Sequence, residues 1–279
     1  LENQTEEFVI KMKQKYSKVL FQSNIWKCLD ELEKVVDESD PDTNLPQIVH
    51  LYQTAESIKY KYLDENMNIK GYKIKNLFSS KEWELLPEKY KIEYQGTLKN
   101  LYKNIINWKW LPLIGFIHDL GKIMLLDNYG KLPQWAVVGD TFPINQKLSK
   151  NFVFHNKNYH KNNLSLNKNT YTNNCGFDNV LFSWGHDEYL ANKLEINDTN
   201  LPKEAIYIIR YHSFYSWHSP RNEERGYLDL ASDYDWYMLP LLKAFQKSDL
   251  YSKTKNIPSY EEIKSEYDKL INKYFNKLE

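Results

Sequence analysis

One stretch of the sequence, Phe-Ile-His-Asp-Leu-Gly-Lys at 116–122, places three polar side chains inside an apolar run. The surrounding residues 111–126 are otherwise nearly all apolar and predict one buried helix. A buried His118 beside a buried Asp119 is unfavourable unless hydrogen bonds or a metal ion replace their lost hydration. Lys122 follows Asp119 by three residues, so a helix would place both on one side. The stretch therefore predicts a helical core around either a hydrogen-bonded pair or a metal site.

Composition narrows the class of protein. With 279 residues, 42% of them apolar and 27% charged, the chain has the composition of a soluble globular protein with a substantial core. Its formal net charge of +0 argues against binding to nucleic acid or to a membrane surface. Cys28 and Cys175 lack metal-type spacing, and no apolar run is long enough to span a bilayer. A reduced, cytoplasmic protein is expected.

The apolar spacing predicts an all-α fold in a single domain, 1–279. Helices are expected over 4–20 and 24–36, after Pro46 and Pro202, near His186, and around Met238–Asp249. The segment near 61–107 is rich in Lys, Tyr, Asn and Glu, and it is predicted to be a surface insertion. Residues near 135–143 predict a short β element that ends at a Gly-Asp turn. His155 and His160, in an Asn/Lys-rich loop, are expected to be exposed and without a role.

An acidic turn, Asp-Glu-Ser-Asp-Pro-Asp at 37–42, follows the second predicted helix. Pro41 disfavours helix at the residue before it, which favours a tight turn. The turn is interpretable as a solvated loop, as a set of acceptors for a hydroxyl-rich ligand, or as a contributor to a cation site.

Six potential ligands are spread over five predicted helical segments: His50, His118, Asp119, His186, His212 and Asp249. Each alone has a plain explanation as a hydrogen-bonded core residue. Together they exceed what hydrogen bonds to the backbone would satisfy. Nitrogen and carboxylate ligands without thiolate suit iron, manganese or zinc, and six are too many for one open site. Two ions bridged by Asp119 would use all six.

The order His…His-Asp…His…Asp resembles the HD-domain superfamily, whose helical core binds one or two metals. Longer strings closely resemble the myo-inositol oxygenase family, and the resemblance runs from about Gln4 to Tyr274. The strings are His50-x-x-Gln-Thr-Ala-Glu56, His118-Asp-Leu-Gly-Lys122, Gln134-Trp-Ala-Val-Val-Gly-Asp-Thr-Phe-Pro143, Ser183-Trp-Gly-His-Asp-Glu-Tyr189, His212-Ser-Phe-Tyr215, Asp249-Leu-Tyr-x-Lys253 and the turn at 37–42.

This resemblance implies an HD-domain-like core and a monomer that uses two iron ions, Fe(II)/Fe(III), and O₂ to cleave the ring of myo-inositol to D-glucuronate. It implies that His50, His118 and Asp249 bind one iron, that His186 and His212 bind the other, and that Asp119 bridges them. Asp119 and Lys122 are implied to be catalytic. The implied contacts to the polyol are Asp37, Glu38, Ser39, Lys122, Gly139, Asp140, His212, Ser213 and Lys253.

Two alternatives remain at this stage. An HD-type phosphohydrolase would use the same ligands to activate water, but it would need further cations to hold phosphate, and no arginine lies within these motifs. A non-catalytic binding protein would not need all six ligands. The family also has an N-terminal arm whose arginine reaches the substrate. Residues 1–3 hold no arginine, so either the arm lies upstream of this sequence or the site closes differently.

Overall fold

The structure is a computed structural model that describes residues 1–37, 46–152, 155, 163–220, 226–250 and 258–275. Its α-helices are α1 (Glu6–Tyr16), α2 (Ile25–Leu32), α3 (Gln47–Tyr62), α4 (Ser80–Glu84), α5 (Glu88–Glu93), α6 (Leu98–Leu101), α7 (Trp110–Ile117), α8 (His186–Ile196), α9 (Lys203–Tyr211), α10 (Tyr215–His218), α11 (Asp233–Asp249) and α12 (Tyr260–Phe275). Short 3₁₀ helices occupy Ile74–Leu77, Leu120–Leu125, Asp127–Tyr129, Gln134–Ala136, Leu164–Asn167, Phe177–Asn179 and Leu228–Leu230. The described residues contain isolated β-bridges but no strand, which confirms the all-α prediction.

The centre of the fold is the packing of α3, α7, α8, α9 and α11 around one apolar core. Every residue of α7 is buried, as its uninterrupted apolar sequence predicts. Gly115 lets α7 approach α3 closely, because a Cβ there would lie 3.1 Å from the Ala55 Cα and 2.9 Å from Ile58 Cδ1. Helix α3, which carries His50, and helix α7, which precedes His118, are thereby held against each other.

The prediction of a single helix over 111–126 is wrong. Helix α7 ends at Ile117, His118 caps it, and Asp119 has φ −91° and ψ 0°, outside the α-helical region. A tighter 3₁₀ turn then covers Leu120–Leu125. The apolar pattern could not separate the two helix types, because both bury the same short run of residues.

The prediction that 61–107 lies on the surface is also wrong. This segment contains α4, α5 and α6, and it contributes fully buried side chains to the main core, among them Leu77, Tyr94 and Tyr102. Its polar composition is misleading because tyrosines bury their rings and use their hydroxyls as hydrogen-bond donors. Several of those hydroxyls contact α11.

The element predicted near 135–143 is mostly not β. Gln134–Ala136 forms a 3₁₀ turn, and extended pairing is limited to one antiparallel bridge between Pro143 and Phe182. Helices α1 and α2 are shorter than the predicted 4–20 and 24–36. Helix α12 was not predicted, although its buried face, which includes Ile263 and Tyr267, has helical spacing. Among the described helices, none has the length and apolar character needed to cross a bilayer.

Candidate metal centre

Six side chains from separate elements converge on one buried point of the helical core. His50 comes from α3, His118 caps the end of α7, His186 begins α8, His212 caps the end of α9, and Asp249 ends α11. Asp119 lies at the centre, between α7 and the 3₁₀ turn. The structure thus brings together all six ligands that the sequence predicted.

The first group surrounds Asp249 and one oxygen of Asp119. Asp249 Oδ1 lies 3.1 Å from His50 Nε2 and 3.1 Å from His118 Nε2. Asp119 Oδ2 lies 4.0 Å from His50 Nε2 and 3.5 Å from His118 Nε2. Atoms that bind one ion at about 2.1 Å and at right angles lie about 3 Å apart, so these separations suit a single metal ion.

The second group surrounds the other oxygen of Asp119. Asp119 Oδ1 lies 3.3 Å from His186 Nε2 and 3.8 Å from His212 Nε2, and the two nitrogens are 3.1 Å apart. All three side chains are buried. Since the two oxygens of one carboxylate face different histidine pairs, Asp119 has the position of a bridging ligand.

Backbone carbonyls orient the rings of three of these histidines. The Nδ1 atoms of His118, His186 and His212 lie 2.9, 2.8 and 2.7 Å from the carbonyl oxygens of Gly115, Val137 and Ile209. A carbonyl only accepts, so each Nδ1 carries a proton and Nε2 is the ring nitrogen that faces the centre, where it can donate its lone pair to a metal. Such carbonyl contacts commonly orient metal-bound histidines.

The converging lone pairs fit a cation. In the second group two ring nitrogens and a carboxylate oxygen face one another, and each can donate a lone pair to a positive ion that lies among them. In the first group, Asp249 Oδ1 is buried and accepts no hydrogen bond of good geometry. Nitrogen and carboxylate donors without thiolate suit a first-row transition metal. Both groups are therefore suitable metal sites.

The charge balance agrees with this assignment. Burial opposes ionisation of Asp119, but the Lys122 ammonium and the His118 ring hold its pKa well below the usual range. Burial likewise opposes ionisation of Asp249, while His118 and His50 keep its pKa well below the usual range. Asp37 is a third carboxylate beside the one ammonium of Lys122, so carboxylates outnumber ammonium groups here and bound cations would balance the difference.

Gly121 brings the two halves of the site together. A Cβ at this position would lie 2.0 Å from the His186 carbonyl oxygen, so only glycine permits the turn to pack on the start of α8. The His-Asp-x-Gly-Lys order thus has a geometric reason. It places Asp119 within reach of His186 on a distant part of the chain.

Lys122 contacts two carboxylates. Its Nζ lies 2.9 Å from Asp119 Oδ2 and 2.8 Å from Asp37 Oδ2. Burial disfavours the charged form of Lys122, but Asp119 and Asp37 outweigh it and raise the pKa of the ammonium above its ordinary value. Lys122 therefore acts as a permanent hydrogen-bond donor at the edge of the first group.

The other expected polyol contacts are only partly described. The loop that contains Gly139 and the half-buried Asp140 is tied to the α9 end by a 2.9 Å hydrogen bond from Thr141 N–H to the Ser213 carbonyl. Ser213 is buried beside His212. Glu38, Ser39 and Lys253 lie outside the described residues. Of the two loop histidines, His155 is half-buried and His160 also lies outside the described residues.

Three residues near the centre were not predicted. The Phe245 ring packs 5.4 Å from the His118 ring and 6.2 Å from the His212 ring. His218 Nε2 lies 2.8 Å from the His212 carbonyl oxygen, so it supports the backbone of that ligand. Burial and the charges of Asp249, Asp140 and Asp119 raise the pKa of Tyr215 well above its ordinary value. A signal for Tyr215 and His218 existed, because both closely follow His212.

Arg210 is the only arginine within the described residues, and it belongs elsewhere. Its guanidinium binds Glu188 at 3.0 Å and Glu195 at 2.7 Å, and it lines a separate surface cavity of about 310 Å³. The phosphohydrolase alternative therefore gains no support.

Comparison with known proteins agrees with the geometry. The family model described as myo-inositol oxygenase matches residues 1–107 and 89–279. Inositol oxygenase 1 of Arabidopsis thaliana is 39% identical over 98% of this chain and 74% of its own length. Inositol oxygenase of Danio rerio is 36% identical over 98% of this chain and 82% of its own, and that of Mus musculus is 35% identical over 98% and 80%. With a matching family model, relatives of such coverage and a buried double histidine-carboxylate centre, the chain belongs to the myo-inositol oxygenase family.

Proposed function

We propose that this protein cleaves the ring of myo-inositol with O₂ to give D-glucuronate at a centre of two iron ions. The observation that supports this most directly is the position of Asp119, whose two oxygens face separate histidine pairs at 3.3–4.0 Å. One oxygen atom of O₂ would enter the acid and the other would leave as water, so four electrons come from the substrate and no external reductant is required.

In this proposal His50, His118 and Asp249 hold one iron, His186 and His212 hold the other, and Asp119 joins them. When bound, the irons would lower the pKa of a coordinated hydroxyl and supply the redox chemistry that O₂ requires. The Nδ1–carbonyl contacts orient the rings of His118, His186 and His212 so that Nε2 is the nitrogen that would bind the metal.

Lys122 is proposed to hold the substrate oxygen nearest the centre. A lysine ammonium has three N–H donors, and contacts to Asp37 and Asp119 use two of them. The third can donate to a hydroxyl or alkoxide oxygen of the polyol. Because its pKa is raised, Lys122 stays charged and stabilises negative charge on that oxygen without competing for the metal.

Recognition of the other hydroxyls is assigned to groups around the pocket edge. Asp37 and Asp140 offer carboxylate acceptors, and Ser213 offers a hydroxyl. Tyr215 remains neutral because its pKa is raised, and its phenol can donate as well as accept. Polar groups built to bind hydroxyls discriminate strongly, because an analogue that lacks one leaves a buried group unpaired.

Oxygen uptake by the iron-loaded protein tests the proposal. The reduced protein, shown by metal analysis to hold two irons per chain, is given myo-inositol in an oxygen electrode, and the product is assayed as glucuronate. The expected result is uptake that depends on myo-inositol, with one glucuronate formed per O₂.

An inositol lacking one hydroxyl serves as the matched substrate control and should react far more slowly. If two irons are bound and myo-inositol leaves the oxygen trace unchanged, the proposal is wrong. Phosphate release from a phosphoester with Mn²⁺ would instead favour the hydrolase alternative.

A further inference from the structure

Helix α11, which ends at the ligand Asp249, contains a proline. Pro240 has no N–H, so the carbonyl of Trp236 loses the partner that an α-helix normally provides. Proline also favours a bend at this position, because its ring crowds the preceding turn. A bend in this helix matters because Asp249 lies nine residues beyond it.

Two buried tyrosines from the 61–107 segment fill the interrupted part of the helix. The Tyr94 hydroxyl donates to the Trp236 carbonyl, which is the group that Pro240 leaves without a donor. The Tyr102 hydroxyl donates to the Tyr237 carbonyl at 2.7 Å and accepts from the Leu241 N–H at 3.1 Å. In an undisturbed helix these last two groups would pair with each other. Tyr102 thus bonds to both a donor and an acceptor of the hydrogen-bond ladder of α11.

The same segment contacts α11 on both sides of the bend. Near the start of the helix, the Tyr90 hydroxyl donates to Asp233 Oδ1 at 2.6 Å. Beyond the bend, Lys243 Nζ lies 2.5 Å from Glu82 Oε1, and Lys247 Nζ donates to the Asn76 carbonyl at 2.9 Å. The segment therefore fixes the direction of the helix both before and after Pro240.

A small change in the bend has a large effect at the metal centre. Nine residues of helix span about 13 Å, so a change of about 10° would move Asp249 by roughly 2 Å. Metal sites tolerate distance errors of only about 0.2 Å. The same movement would shift Phe245, which packs against His118 and His212.

We propose that Tyr102 and Tyr94 are positioning residues that set the bend at Pro240 and thereby place Asp249 against His50 and His118. This inference rests on the proposed metal centre and adds a role for the 61–107 segment. It predicts a much larger defect in the first metal group, which contains Asp249, than in the second, which α11 contacts through the packing of Phe245 on His212.

The test separates the two metal groups by removing one at a time. Metal-free protein is titrated with Co²⁺, whose visible absorption reports its ligands. One background, His212→Ala, keeps the first group intact, and the other, His50→Ala, disables it. Tyr102→Phe is then added to each background. Loss of a group that supports a ligand typically weakens metal binding by about 10- to 100-fold. We expect that loss in the His212→Ala background and less than about a twofold change in the other.

Tyr16→Phe is the matched control. Tyr16 is also buried and donates to a backbone carbonyl, that of Tyr129 at 3.3 Å, but it lies on α1. Its removal should lower the melting temperature without changing Co²⁺ affinity in either background. A purely structural role for Tyr102 would give the same pattern as this control.

A second variant keeps the test decisive if Tyr102→Phe does not fold. Tyr94→Phe should weaken Co²⁺ binding in the His212→Ala background, and it should do so less when Pro240→Ala is also present. The alanine supplies an N–H for the Trp236 carbonyl and makes the Tyr94 hydroxyl redundant. Equal effects of Tyr94→Phe with and without Pro240 would overturn the inference. If neither the His212→Ala protein nor the His50→Ala protein binds Co²⁺, the metal centre itself is refuted.

Discussion

Replacing Gly121 by alanine should separate the two halves of the metal centre. The new Cβ would lie 2.0 Å from the His186 carbonyl oxygen, 2.7 Å from its carbon and 2.9 Å from its Cα. These are backbone atoms, which cannot rotate away as a side chain can. His186 is also held from its other side, because its N–H and its Nδ1 both lie 2.8 Å from the Val137 carbonyl oxygen.

The clash with the new Cβ requires the backbone around Gly121 and His186 to move. Ordinary contact begins at 3.4 Å, so the start of α8 and the 3₁₀ turn must move apart by about 1.4 Å. This exceeds the tolerance of a metal site of about 0.2 Å several-fold. His186 Nε2, now 3.3 Å from Asp119 Oδ1, would leave the second group. We expect metal affinity there to fall by more than about 100-fold, or about 2.8 kcal/mol, and stability to fall by about 1–3 kcal/mol from overpacking.

The assay is metal content after dialysis against a fixed free iron concentration, together with Co²⁺ titration. Gly121→Ala should retain close to one ion per chain, held by the first group, where the parent retains two. Gly71→Ala is the matched control, since a Cβ there would meet nothing within 4 Å. A Gly121→Ala protein that keeps both ions at unchanged affinity would refute the reasoning about close approach.

Substitutions at Asp119, Lys122 and Glu82 test three other contacts. Asp119→Ala should abolish binding of both ions, because its two oxygens serve both groups, and metal analysis still showing two ions would contradict this. Lys122→Met should keep both ions but lose most of the oxygen uptake, and a near-normal rate would remove Lys122 from the substrate site. Burial opposes ionisation of Glu82, but the Lys243 ammonium lowers the pKa of its carboxyl below the ordinary 4.5. The ionised Glu82 therefore stabilises the fold above about pH 4.5, and this stabilisation is lost as the pH falls through the lowered pKa. Urea unfolding of Glu82→Gln should therefore depend less steeply on pH between about 5 and 3 than unfolding of the parent.

Much of the site could be predicted from the sequence because the chemistry of its residues is restrictive. Histidine and aspartate inside apolar helices need partners. When six such residues occur on five segments, shared metal ions explain them more simply than six separate hydrogen-bond partners do. The proline-led starts of α3 and α9 were likewise predictable, since proline is suited to a helix start.

Other features were mispredicted because the local pattern was ambiguous. The turn at Leu120–Leu125 has the apolar composition of a helix, and the packing of Gly121 on α8 requires a tighter path. The tyrosine-rich 61–107 segment has a surface composition, yet its hydroxyls find backbone partners inside the core. The spacing of apolar residues in the sequence does not indicate such hydrogen-bond partners.

By itself, the sequence determined the identity and number of the candidate ligands, the helical class and the family. Only the tertiary structure decided that the two oxygens of Asp119 face different histidine pairs and that backbone carbonyls fix which ring nitrogen faces the centre. It also decided that Tyr102 enters the ladder of α11, a contact between residues 139 positions apart in the sequence. The physical reason is that residue types and short spacings are local properties. The direction of a lone pair or of a helix bend depends on atoms that only folding brings together.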